Sequence, residues 1–230
     1  MSRWAHLMGR DCATWFRCLY CVTPDTIDAV GESTLTDAEY IVKQAVSFKP
    51  FFGKRGGITF SGGEPTVQAK ALIPLFKRLK EEGIHICVDS NGAIWNNDVE
   101  ELWKLTDLVM LDIKEFNNDR HQYITGRSNE QPLKTAAWFE ANNHPFWLRY
   151  VLVPGVSNFD EDLHALGAHF KDYTQLQRIE LLPYHTLGVH KYEALGWEYK
   201  LKDVPVNTPE QKQHAEEILR HYFNDKLVVN

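Results

Sequence analysis

Gly57-Ile58-Thr59-Phe60-Ser61-Gly62-Gly63, followed by the stretch Val67 to Glu82, decides the fold class of this chain. The first four residues form a short apolar strand that runs into a Ser-Gly-Gly turn. Leu72, Leu75, Phe76 and Leu79 then recur at helical spacing on one face, and Gly83 supplies a stop. The same alternation continues outward. Ile84–Val88 reads as a strand closed by Asp89-Ser90-Asn91-Gly92, and residues 99–105 read as helical. Leu108–Leu111 is a strand, 133–142 a helix, 147–153 a strand, 160–173 a helix and 179–182 a strand. Thr208–Tyr222 makes a last helix and Leu227–Val229 a last short strand. Strands alternating with helices argue an α/β fold, with a parallel sheet and crossover helices. The strands are near-continuously apolar, as expected of strands covered on both faces. No repeat, linker or low-complexity run interrupts the pattern, so residues 1–230 read as a single domain.

Composition narrows the function classes. With 230 residues the chain is long enough to bury a core, and one α/β domain routinely reaches this size. Hydrophobic residues make up 43% and charged residues 24%, typical of a soluble globular protein. The net charge of −6 gives no basic footprint for nucleic acid. No apolar run approaches a membrane span, and Met1–Arg10 holds no signal-peptide core. The sparse cysteines fit a reducing cytoplasm.

Polar residues gather where strands end. Ser61–Glu64, Asp89, Asp112 with Lys114, Pro154-Gly155 and Pro183-Tyr184-His185 each follow a strand. In parallel α/β barrels the carboxyl ends of the strands form the face that carries the site. Each motif also has a mundane reading. Gly62-Gly63 is a common turn pair, Asp89 caps the Asn91-Gly92 turn, Asp112 pairs with Lys114 or caps the next helix, and His185 is an ordinary hydrogen-bonded histidine. As a set, they are the groups that an amino-acid-like cofactor needs. Glu64 offers a carboxylate to an amino group, and the two glycines let the backbone approach closely.

Three of the four cysteines lie in one short segment, Cys12-Ala-Thr-Trp-Phe-Arg-Cys18-Leu-Tyr-Cys21. Four thiolates normally hold an iron–sulfur cluster, so three leave one iron open to a ligand. Zinc with three cysteines and a histidine fits the same segment, as do plain buried thiols. A disulfide framework does not fit so few cysteines in so long a chain.

Further motifs add a resemblance. Cys18-Leu19-Tyr20-Cys21 with Pro24-Asp25-Thr26, then Thr59-Phe60-Ser61-Gly62-Gly63-Glu64-Pro65, resembles the radical S-adenosylmethionine superfamily. Glu82–His85, Asp89–Gly92, Thr106–Lys114, Arg149–Gly155 and Ile179–His185 resemble its pyruvate formate-lyase activating enzyme group. The resemblance implies a partial (β/α)6 TIM-like barrel. It implies a [4Fe-4S] cluster held by Cys18 and Cys21, with Cys12 as the third thiol; the family spacing would put that cysteine at Thr14. It implies S-adenosylmethionine against Tyr20, Cys21 and Val22, with its amino group at Gly62, Gly63 and Glu64. Asp112, Ile113 and Lys114 would lie near the methionyl end, and Arg149 and His185 in the same pocket. Asp89 and Asp112 would flank a monovalent cation. The family's Gly-rich turn and first strand are not read in Met1–Arg10.

The implied activity is reductive cleavage of S-adenosylmethionine. The 5′-deoxyadenosyl radical then takes a hydrogen atom from a glycine of pyruvate formate-lyase. The cofactor carries the hard chemistry and the protein positions it. The resemblance further implies an electron donor such as flavodoxin, a monomer, a cytoplasmic location, and no membrane or nucleic-acid partner. The alternative is a barrel that binds the cofactor or partner but has an impaired cluster.

Overall fold

The computed structural model describes residues 4–9, 16–29, 36–53 and 56–230; for 4–9, 28 and 29 only the backbone is described. Its contacts group into two compact units. One holds Asp25–Met110 with the N-terminal strand, the other Phe16–Pro24 with Leu111–Asn230.

The first unit contains β1 (Trp4–Gly9), α1 (Ala38–Phe52), β2 (Gly57–Gly62), α2 (Ala69–Glu81), β3 (Ile86–Ser90) and α3 (Asn97–Leu105). β1 pairs with β2 and β2 with β3, both parallel, with Ile58 opposite Ile86 and Phe60 opposite Val88. Ile86, Cys87 and Val88 are all buried, which explains the uninterrupted apolar reading of this strand. Of the helical face read from the sequence, Leu75, Phe76 and Leu79 are buried and Leu72 is half-buried, and Ile73 joins Phe76 and Leu79 in the core. Their spacing of three and three residues keeps them on one stripe. The Trp4–Gly9 strand corrects the reading of Met1–Arg10. Six mixed residues carry no period of their own, and parallel pairing to β2 supplies their backbone partners.

β4 (Leu108–Asp112) starts in the first unit and ends in the second. The second unit continues with α4 (Asn118–Thr125), α5 (Glu130–Ala141), β5 (Phe146–Leu152), α6 (Asp160–Phe170), β6 (Leu176–Pro183), α7 (Val189–Ala194), α8 (Pro209–Phe223) and β7 (Leu227–Val229). β5 pairs with β6 and β6 with β7, again parallel, with Tyr150 opposite Leu181 and Ile179 opposite Leu227. In β5 burial alternates. Phe146, Leu148, Tyr150 and Leu152 are buried, whereas Trp147, Arg149 and Val151 are half-buried. The expected unbroken apolar pattern therefore does not hold here, and the alternation gives Arg149 a face of its own. Among the described residues no helix is long and apolar enough to cross a membrane.

Candidate active site

In the first unit the Gly62-Gly63-Glu64 turn leaves the carboxyl end of β2. Gly62 adopts φ 126°, a backbone that side-chain-bearing residues rarely adopt. Glu64 is 1% exposed. Its Oε1 accepts from Thr66 N at 3.1 Å, Thr66 Oγ1 at 2.7 Å and Ser90 Oγ at 2.7 Å, and its Oε2 accepts from Asn91 N at 2.8 Å. Burial pushes the carboxyl upward, and the four donors offset part of that rise. The carboxylate is thus turned to donors of its own unit and ties the β2 turn to the end of β3. What the loop offers a ligand is its glycine backbone. Asp89, the penultimate residue of β3, accepts from Ser61 Oγ at 2.9 Å.

In the second unit the cluster segment is tied down on both sides of Cys18. Arg17 N donates to Thr125 O and Leu19 N to Ile124 O, at the end of α4. Tyr20 then buries its ring with Ile124, Val153, Val156, Tyr184, Tyr192 and other apolar residues. Cys21 N donates to Cys18 O at 3.1 Å, so one tight turn carries both thiols. Both are free. Burial pushes the Cys18 thiol up to about 12, with Lys114 working against the rise. The Tyr20 hydroxyl is buried and has no hydrogen-bond partner among the described residues. Lys114 Nζ lies 6.0 Å from its ring centroid.

Asp112 ends β4. Lys114 Nζ stands 2.6 Å from its Oδ2 and Arg149 Nε 3.9 Å from its Oδ1. Burial works to raise the Asp112 carboxyl, but Lys114 and then Arg149 outweigh it and hold it below the usual carboxylate range. Lys114 is held above the ordinary lysine range, because Asp112 outweighs burial. Arg149 Nε also lies 3.7 Å from Glu180 Oε2. Ile113 is fully buried, and its N–H donates to Arg149 O, which locks β4 to β5 at this point. His185 is exposed just past β6, and its Nδ1 accepts from Leu187 N at 3.4 Å. Cys12 lies outside the described residues.

The donors fit an iron–sulfur cluster in part. Two thiols on one turn match two thiolate ligands. Among the described residues no group of three His, Cys, Asp or Glu is placed to hold a metal ion.

The model of the radical SAM superfamily matches residues 12–166. The chain belongs to the radical SAM superfamily. A close relative is the pyruvate formate-lyase 1-activating enzyme of Escherichia coli (strain K12). It is 42% identical over 209 residues, 90% of this chain and 85% of the relative. Within the radical SAM superfamily the chain falls in this activating-enzyme group. Among solved structures, a domain of pyruvate-formate lyase-activating enzyme from Bacteroides vulgatus ATCC 8482 is similar at TM-score 0.63 and 25% identity, over 76% of this chain and 99% of that one. A radical SAM methyltransferase from Sphaerobacter thermophilus is similar at TM-score 0.71 and 16% identity, over 99% of this chain and 65% of that one. The likenesses give the α/β fold class of radical SAM proteins, as the strand and helix alternation predicted.

Sequence reasoning missed Glu115, Tyr150, Glu180 and Tyr192 in this site. Glu115 and Tyr150 sit one residue beyond Lys114 and Arg149. A glutamate following a buried strand end was the available signal. Glu180 and Tyr192 carried none, since their place depends on β6 register and on the short helix α7.

Proposed function

We propose that this chain activates pyruvate formate-lyase by generating a glycyl radical on it. The observation that carries this reading is the likeness to the activating enzyme of Escherichia coli (strain K12), which runs through 90% of the chain. Cys18 and Cys21 supply two thiolates to a [4Fe-4S] cluster, and Cys12 supplies the third. When bound, the cluster and S-adenosylmethionine supply the one-electron chemistry that removes a hydrogen atom from a glycine of the partner. The protein's part is placement. Tyr20, Cys21 and Val22 lie against the cofactor, and the Gly62-Gly63-Glu64 turn presents backbone to its amino group. Asp112, Ile113, Lys114, Arg149 and His185 receive the remainder. Lys114 and Arg149 provide the positive charge that a methionyl carboxylate needs. Both flank Asp112 and are part-buried, which supports their holding a ligand in fixed geometry.

Several finer elements belong to the same proposal. Asp89 and Asp112 flank a monovalent cation, a small donor such as flavodoxin reduces the cluster, and the chain works as a monomer in the cytoplasm. It acts as one catalytic domain over residues 1–230.

Anaerobic iron–sulfide reconstitution, followed by electron paramagnetic resonance, tests the reading. The reduced protein should give a cluster signal that changes shape on adding S-adenosylmethionine. Addition of pyruvate formate-lyase should then yield a glycyl-radical signal. A folded protein that assembles no cluster would sink the proposal, leaving a barrel that binds cofactor or partner without the chemistry.

A further inference from the structure

Glu115 is fully buried, one residue past Lys114. Its Oε1 accepts from Phe116 N at 2.5 Å and Asn117 N at 3.2 Å. Its Oε2 lies 2.9 Å from the Tyr150 hydroxyl, and that hydroxyl also lies 2.9 Å from Ser157 O. A tyrosine hydroxyl carries one proton. A carbonyl has none to give, so if Tyr150 donates to Ser157, the proton between Tyr150 and Glu115 must come from the carboxyl. The alternative, an ionised carboxylate accepting from Tyr150, would leave a buried charge without a cation partner and the Ser157 carbonyl without this donor.

We infer that Glu115 is a neutral carboxylic acid that donates to Tyr150, which in turn donates to Ser157 O, and that this chain of two bonds is a positioning element for Lys114 and Arg149. Ile113 N is already bonded to Arg149 O. The Glu115–Tyr150 bond follows on that link, two residues past Ile113 and one past Arg149. Ser157 is itself held, since its Oγ donates to Val151 O and accepts from Val153 N. The spacing of the two cations around Asp112 is therefore set from behind by uncharged bonds. Ionisation of Glu115 would turn the Tyr150 proton toward the carboxylate and break the bond from Tyr150 to Ser157 O.

The groups that face Glu115 agree. Tyr150 of β5 and Tyr20 of the cluster segment are buried hydroxyls held protonated by burial. Asp162 of α6 is a like charge, and it is paired with Arg120 of α4. Burial first, then Asp162, push the Glu115 carboxyl up to about 7, against the pull of Tyr150 and the two backbone donors. A carboxyl raised in the folded state contributes stability that is complete below the ordinary glutamate range and lost as pH rises to about 7.

Glu115→Gln is the deciding variant. Its amide nitrogen can donate to Tyr150 and its oxygen can accept from the two backbone N–H groups, which copies the neutral acid without its titration. The parent-minus-variant infrared difference of the metal-free chain should show the carbonyl stretch of a protonated carboxyl at about pH 5. The variant should melt with the parent at that pH and about 3 °C or more above it at about pH 8. No such band, or a variant that melts lower at the higher pH, would overturn the neutral acid. The positioning role rests on the proposed function and is read separately. In cluster-loaded protein, the affinity for S-adenosylmethionine should fall as pH rises through about 7 in the parent and stay flat in the variant. Equal profiles in both would overturn the positioning role. Loss of S-adenosylmethionine binding in both proteins at every pH would count against the proposed function, while the band and the melting shift would still decide the proton.

Discussion

At the scale of single residues, the buried carboxyls of Glu64 and Asp112 are held by several partners each, and removing one member of such a set exposes the cost. Glu64 is the clearest case. Its carboxylate satisfies Thr66 N, Thr66 Oγ1, Ser90 Oγ and Asn91 N. Glu64→Ala should therefore lower stability by about 3 kcal/mol, because several buried donors lose their acceptor at once. Chemical denaturation measures this, and a loss under about 1 kcal/mol would mean that water replaces the carboxylate. Lys114 is the second case. Lys114→Met leaves Asp112 buried with Arg149 alone at 3.9 Å, and should cost about 3 kcal/mol. Asp112 would then lose its nearest cation, so its carboxyl should titrate higher than in the parent. Since a depressed carboxyl contributes stability that is lost as pH falls through its folded value, the variant should lose less stability on acidification than the parent. Denaturation curves at several acidic pH values check that sign.

At the scale of elements, two helix contacts are close enough to fail on one added carbon. Gly167 of α6 faces the Tyr222 ring of α8, where a Cβ would meet ring carbon Cγ at 2.5 Å. That atom is the rigid end of the tyrosine, so Gly167→Ala should cost about 1–3 kcal/mol by overpacking. Gly188, just before α7, lies against the cluster segment. A Cβ there would meet Val22 Cα at 2.9 Å and Cys21 O at 3.4 Å, and Lys191 of α7 donates to Val22 O at 2.8 Å. Gly188→Ala should speed iron release to a chelator about tenfold, since about 1.4 kcal/mol of strain at the loop is a factor of ten. An unchanged release rate would mean that α7 moves aside at no cost. These elements also show what was legible in the sequence. Strands β2 to β4 were readable because burial leaves an apolar run, β5 and β6 because buried apolar residues alternate with less buried ones, and α2 was readable because four apolar residues share a stripe. α4 was not, since Asn118-Asp119-Arg120-His121-Gln122-Tyr123 shows no apolar face. Its boundary signals were present, with Asn117 accepting from Asp119 N and Arg120 N and Gly126 at φ 77°. α1 carries Pro50 and exposes Tyr40, Phe48 and Phe51, which blurs its period. Of the site, the residues at strand ends were legible by position. The partners of Glu64 and the Glu115–Tyr150 bond were not, because they depend on which strand ends are neighbours.

At the scale of the whole molecule, the question is whether the cluster organises the fold or the fold receives the cluster. Small metallo-domains fold only with their metal, and binding energy is then folding energy. Here each unit has an apolar core without it, Phe76, Leu79, Ile86 and Trp103 in one and Phe139, Phe146, Leu166 and Ile179 in the other. The segment bearing the cysteines is fixed by bonds that involve neither thiol. Arg17 and Leu19 donate to the end of α4, and the Tyr20 ring joins an apolar group with Val153, Tyr184 and Tyr199. The high position of the Cys18 thiol, about 12, adds that the metal-free turn holds a protonated sulfur rather than a buried thiolate. Nothing in the metal-free fold therefore depends on the Cys18 sulfur being charged. The double variant Cys18→Ser, Cys21→Ser should bind no cluster and yet melt within about 2 °C of the metal-free parent, in one cooperative step with the same circular dichroism. A variant that instead lost helical signal would make the two thiols part of the core. If only the loaded parent gained stability on reconstitution, the gain would measure the affinity of a preformed site for its cluster. On that outcome, substitutions at the cysteines would separate chemistry from folding, and every loss of activity they cause could be assigned to the cluster alone.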